Sequence, residues 1–93
     1  MPIQSFRDAD VAELFRCGRS RRWAGIVRVA MRKLDMLNAA VLLDDLRSPP
    51  GNRLEALQGD RAGRHSIRVN GQWRLVFRWT EVGPTDVEIV DYH

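Results

Sequence analysis

The 93-residue chain is 44% apolar and 29% charged, enough apolar side chain for one packed core and too much for a disordered tail. Fifteen bases against twelve acids leave a net charge of +3, and fourteen of those bases are arginine, whose planar fork grips phosphate where lysine offers a point charge. No run approaches the roughly 20 apolar residues of a membrane span, the start Met1–Asp8 lacks the apolar run of a secretory signal, and the lone Cys17 excludes an internal disulfide, so a single cytoplasmic domain over 1–93 without a membrane partner is predicted.

The first half reads as helical. Ile3 to Phe6 is a candidate edge strand; after it Asp8 or Asp10 can cap a short helix through Val11, Leu14 and Phe15, which Gly18 stops. Ser20 can cap a second helix. Trp23, Ile26, Val27, Ala30, Met31, Leu34, Leu37, Val41 and Leu42 then recur at three- and four-residue steps, predicting one long amphipathic helix from Trp23 to Leu42 with Arg21, Arg28, Arg32 and Asp35 turned to water. Ser48-Pro49-Pro50-Gly51-Asn52 must be a loop.

The second half reads as strands. Ile67 and Val69 alternate with Ser66 and Arg68; Trp73, Leu75, Phe77 and Trp79 with Arg74, Val76 and Arg78; Val87 and Ile89 with Glu88 and Val90. Asn70-Gly71 and Gly83-Pro84 mark two hairpins. The predicted class is α+β: an N-terminal helical hairpin on one face of a small antiparallel sheet, with a mixed edge and an open second face. Register decides what that open face carries. A two-residue turn at Asn70-Gly71 would pair Arg68 with Trp73 and mix arginine with tryptophan on both faces. A loop of odd length, or a bulge, restores one apolar face of Ile67, Val69, Trp73, Leu75, Phe77 and Trp79. The odd loop is expected, because burying an unpaired arginine costs several kcal/mol. Arg64, Ser66, Arg68, Arg74 and Arg78 then share the exposed face.

Charge is segregated along the chain. Arg16 to Lys33 holds seven bases and no acid, and Arg47 to Arg78 holds seven bases against Glu55 and Asp60. Basic fields on a nearly neutral molecule are a footprint of nucleic-acid binding, although a solvated surface explains them too. Cys17, His65 and His93 are too widely spaced for a metal site, and no P-loop or Gly-x-Gly pattern is present, so neither a metal nor another cofactor is expected. Cys17 reads as a structural thiol, Asp44-Asp45 as a solvated turn and His65 as core-facing.

Asp91-Tyr92-His93 sets an acid, a phenol and an imidazole at the end of the last strand. Strand parity puts Tyr92 on the arginine face and Asp91 opposite. Cleaving RNA needs a base for the 2′-hydroxyl proton, cations around the phosphorane and an acid for the leaving 5′-oxygen, and these side chains can serve those roles. A purely structural reading stands beside it, in which Tyr92 caps the core and His93 frays.

Taken together, Asn52-Arg53-Leu54-Glu55-Ala56-Leu57-Gln58-Gly59-Asp60-Arg61, Ser66-Ile67-Arg68-Val69-Asn70, Gln72-Trp73-Arg74, Phe77-Arg78-Trp79 and Val87-Glu88-Ile89-Val90-Asp91-Tyr92-His93 resemble the HigB-like toxins of the RelE/ParE superfamily. Ile3-Gln4-Ser5-Phe6 and the helical hairpin also fit, so the likeness covers essentially the whole chain. The resemblance implies a RelE-like fold and a toxin of a type II toxin–antitoxin pair. Its activity would be metal-independent, ribosome-dependent cleavage of translated mRNA in the A site. It places the transition-state cation at Arg74 and the proton-transfer groups at Asp91, Tyr92 and His93.

Where better-known nucleases of the family carry a histidine and a lysine in the loop before Gly-Asp-Arg, this chain has Glu55 and Gln58. Glu55 is then the candidate base, with Arg53, Arg61 or Arg64 supplying the missing charge. Arg53, Gln58, Arg61, Arg64, Arg68 and Arg78 are candidate RNA contacts. Implied partners are a HigA-like helix-turn-helix antitoxin, the ribosome and mRNA, with operator DNA reached only through the antitoxin. The long helix and the Ile3 edge are the expected antitoxin-docking surfaces. Two other readings stay open: a non-catalytic ParE-like poison of DNA gyrase, and a degenerate member that only binds nucleic acid or antitoxin.

Overall fold

A computed structural model describes residues 1–91, so Tyr92 and His93 lie outside the described residues. Helix α1, Ala9–Cys17, begins where the Asp8 carboxylate accepts the Val11 N–H at 3.0 Å. It ends at Gly18, whose φ of 68° lets its N–H return to the Leu14 carbonyl, a left-handed cap that a Cβ would penalise. Val11 and Leu14, three residues apart on one face, are fully buried.

The second helix is shorter than its apolar period suggests. Ser20 Oγ does accept the Trp23 N–H at 3.0 Å, but a single 3-10 turn, Ala24–Ile26, intervenes before α2, Val27–Ala39. Gly25 sits in that turn and disfavours regular helix. At the far end Asp45 Oδ2 accepts the N–H groups of both Val41 and Leu42, at 3.0 and 2.9 Å, and so captures donors that a continued helix would need. Ala40 turns extended, and Val41 and Leu42, expected on the buried stripe, are each 62% exposed. The helical surface expected to receive an antitoxin shrinks accordingly to Val27–Ala39.

Four antiparallel strands follow in the order β1 (Glu55–Ala56), β2 (His65–Arg68), β3 (Trp73–Thr80) and β4 (Gly83–Asp91). The two-residue β1 is too short for any alternation to announce it. Arg68 pairs with Arg74 and Ile67 with Leu75, so an odd number of residues, 69–73, separates the partners Arg68 and Arg74. Asn70 Oδ1 shapes this loop by accepting the N–H groups of Gln72 and Trp73 at 2.8 and 2.9 Å. Between Val76↔Glu88 and Arg78↔Thr85 the register slips by one residue, with Asp86 at φ 51°. The expected Ile3–Phe6 edge strand is reduced to a parallel bridge of Phe6 with Val87, flanked by hydrogen bonds from Gln4 to Pro84 and Arg7 to Val87.

The core lies between the helices and one sheet face: Val11, Leu14, Trp23, Ala30, Leu34 and Leu37 meet Ile67, Leu75, Phe77, Val87 and Ile89. Burying each valine, leucine, isoleucine or phenylalanine among them contributes roughly 1.5–3 kcal/mol. Among the described residues no helix is long and apolar enough to cross a membrane. The opposite sheet face is not open throughout, contrary to expectation. Ser66 and Val76 are buried at its centre and Arg74 is only 6% exposed, because long charged side chains and the segment leading into β1 lie across them.

Candidate functional site

Arg74 occupies an interior strand, paired with Arg68 on one side and Val90 on the other. Its guanidinium is held from β1 and the turn before it. Nη1 meets Glu55 Oε1 at 2.7 Å, and Nη2 donates to the Arg53 carbonyl at 2.7 Å. The geometry follows from the local chain: Pro50–Asn52 makes one 3-10 turn, Arg53 takes a left-handed φ of 48°, and Glu55 then pairs with Ser66 across the sheet. Two separate acceptors fix the plane of a planar fork.

Beside this pair lies a cleft of about 270 Å³ lined by Arg53, Arg68, Asn70, Gly71 and Arg74. Three of its five lining residues are arginines and none is an acid, a composition suited to a phosphate group. Its field reaches α2. Lys33 is held below the usual lysine pKa by burial first, and then by Arg32 and by Arg68 of the cleft wall.

A second cleft of about 290 Å³ on the sheet side is lined by Arg7, Asp60, Arg61, Arg64 and Glu88. Here Arg61 and Arg64 are internally matched. Glu88 takes Arg61 at 3.3 Å and Arg64 at 3.1 Å, and Asp86 lies 3.7 Å from Arg64. The Arg64 side chain is only 13% exposed, so its place on an open arginine face is corrected to a half-buried ion pair. Arg78 remains exposed on β3. Gln58 is exposed too, at the start of the Gly59–Arg61 turn and not among the residues lining the first cleft.

Of the proton-transfer candidates, Asp91 pairs with Trp73 while Val90 pairs with Arg74, so strand alternation sets Asp91 on the face opposite Arg74. Its carboxylate accepts from Gln72 Nε2 at 3.1 Å. Tyr92 and His93 lie outside the described residues. The structure thus gathers Arg53, Glu55, Arg68 and Arg74, puts Arg61 and Arg64 in the neighbouring cleft, and leaves Gln58 and Asp91 apart from them. Sequence reasoning missed Asn70, Gly71 and Arg7, and the acids Asp60 and Glu88, as cleft residues. The first two carried only a turn signal, and Arg7 lay in a segment read for its apolar residues.

A larger hollow, about 900 Å³, opens between α1 and the connector before α2. Arg22 in its wall is paired: it sits 3.3 Å from Asp10 and 3.6 Å from Asp8, and stacks 4.5 Å over the Trp23 ring.

Residues 4–93 match the family described as the RelE-like toxin of the type II toxin–antitoxin system HigB. Toxin HigB-1 of Vibrio cholerae serotype O1 is 50% identical over 58 residues, 62% of this chain and 61% of that protein's length. An uncharacterised protein of Haemophilus influenzae is 38% identical over 78 residues, covering 82% of this chain and 77% of its own.

Proposed function

This chain belongs to the HigB-like family of RelE-like type II toxins, and from that premise we propose that it cleaves translated mRNA in the ribosomal A site. The observation that carries this reading is the acid-free cleft of Arg53, Arg68 and Arg74, with the Arg74 fork already fixed by two acceptors. A phosphate entering the cleft meets cations that need little reorganisation, the condition under which charge stabilisation lowers a barrier most.

The 2′-hydroxyl gives its proton to a base and attacks the adjacent phosphorus in line; the P–O5′ bond breaks, and the leaving 5′-oxygen takes a proton from an acid. Arg74 holds the charge of the phosphorane. Tyr92 and His93 serve the proton transfers, with Asp91 as an orienting group. Glu55 is the alternative base, although its Oε1 is engaged by Arg74. Arg53, Arg61, Arg64, Arg68 and Arg78 bind mRNA and ribosomal RNA, and a small HigA-like antitoxin silences the toxin.

Expression without antitoxin, followed by mapping of mRNA 5′ ends, tests the proposal. Cuts phased with codons are expected. Intact mRNA accompanied by trapped or broken DNA would instead identify a gyrase poison.

A further inference from the structure

Asn52 is a fully buried polar side chain with each of its groups engaged. Its Nδ2 donates to the Leu46 carbonyl at 3.1 Å and the Ser48 carbonyl at 3.4 Å, and lies 3.7 Å from Met36 Sδ. Its Oδ1 accepts from Lys33 Nζ of α2 at 2.6 Å. The side chain therefore ties the loop to the helix, and a buried amide with a lost partner would be costly enough to move.

The next residue is Arg53, whose left-handed backbone aims its carbonyl at Arg74 Nη2; two residues further on, Glu55 holds Nη1. Both described acceptors of the Arg74 fork thus come from one short segment, 53–55. That segment directly follows the residue Lys33 holds. We propose that Lys33, acting through Asn52, is a positioning residue for Arg74. It sets the Arg53 carbonyl and, with it, the plane of the guanidinium that faces the phosphate cleft. Lys33 itself does not line that cleft, and its influence travels through Asn52 and the Arg53 peptide. The inference rests on the nuclease reading for its functional consequence, but its structural content can be measured without it.

Lys33 is half-buried at the helix surface, so it can be changed where Asn52, at the centre of the loop, cannot be without risk to the fold. Lys33→Met keeps the aliphatic reach and removes the donor; Lys33→Arg restores a donor; Arg32→Gln removes a neighbouring exposed charge and no described contact to Asn52. The first readout is ¹⁵N NMR of the Arg74 guanidinium in the free protein. Lys33→Met is expected to speed rotation of the Arg74 Nη groups, Lys33→Arg to slow it again, and Arg32→Gln to leave it unchanged.

The second readout is cleavage of ribosome-bound mRNA. Lys33→Met should lower kcat by about 10- to 100-fold with KM changed by less than about 3-fold, the pattern of a residue that orients a reacting group. Unchanged Arg74 signals in Lys33→Met overturn the inference whatever the activity. A raised KM at constant kcat also overturns it, since Lys33 would then be a phosphate contact. If the unaltered protein cleaves no mRNA, the nuclease reading fails alone, and the NMR comparison still decides whether Lys33 positions Arg74.

Discussion

The two clefts on the sheet side are built from the same kind of side chain and differ in what their arginines touch. Beside Arg61 and Arg64, the carboxylates of Glu88 and Asp86 stand within ion-pair distance, and Glu88 is itself shielded at 13% exposure. Around Arg53, Arg68 and Arg74 the lining has no acid, and Glu55, which meets Arg74 from outside the lining residues, is 45% exposed. Counting arginines would rate the clefts as equals. Their available charge is unequal, because a cation already matched by a shielded carboxylate gains little from a phosphate, whereas an exposed carboxylate is readily exchanged for one. The first cleft is accordingly the reaction site of the proposal and the second a supporting surface.

The sharpest way to break this comparison is to remove one arginine from each cleft. Arg74→Ala should reduce single-turnover mRNA cleavage about 10²- to 10³-fold, the typical cost of losing one charge-stabilising donor, while ribosome affinity changes little. Arg61→Ala should change cleavage less than about 5-fold, as an exposed ion-pair partner worth at most about 1 kcal/mol would. Equal losses would mean that both clefts act through general electrostatics.

Removing the acids sharpens the same contrast from the other side. Glu88→Gln frees Arg61 and leaves Arg64 with Asp86 as its carboxylate. It should tighten binding to single-stranded RNA several-fold at low salt and steepen the salt dependence of log K by about 0.7 for each additional phosphate neutralised. Glu55→Gln leaves Arg74 its Arg53 acceptor, so a smaller rise in affinity is expected. Cleavage decides the role of Glu55. Activity within about 5-fold of the parent makes it a counter-ion to Arg74, and a loss near 10²-fold makes it the base.

This contrast was only half legible in the sequence. Asp8 or Asp10 with Gly18 marked α1, and the choice of an odd loop correctly put Arg68 and Arg74 on one face, because a buried unpaired arginine was the cost of the alternative. Helix period failed beyond Ala39, where a side chain six residues on, Asp45, outcompeted it for backbone donors. Alternation showed which arginines share a face, but the acids that meet them come from elsewhere in the chain. Glu55 reaches the face through a two-residue strand, and Glu88 reaches it through a register that slips at Asp86. Neither pairing has a local signal. Asp91-Tyr92-His93 stood out by composition alone, and two of its three residues lie beyond those described.

Acid offers a tempting shortcut to the carboxylate experiments, and Asp45 shows why it should fail. The N–H of Leu42 first, then that of Val41, with the nearby N-terminal ammonium adding, holds the Asp45 carboxyl below its ordinary 3.8. A carboxylate with a depressed folded pKa contributes stability that is fully present above the unfolded value and is lost as pH falls through the folded one. Lowering the pH below about 4 therefore loosens the 41–47 turn, which carries the Leu46 carbonyl that anchors Asn52. Asp45→Asn keeps one oxygen to accept the two N–H groups and removes the titration. Its melting temperature should fall less steeply than the parent's between about pH 4 and pH 2, with a small difference at pH 7. Parallel acid limbs in the two proteins would mean that Asp45 contributes nothing to acid stability, and that pH could serve after all to compare the clefts.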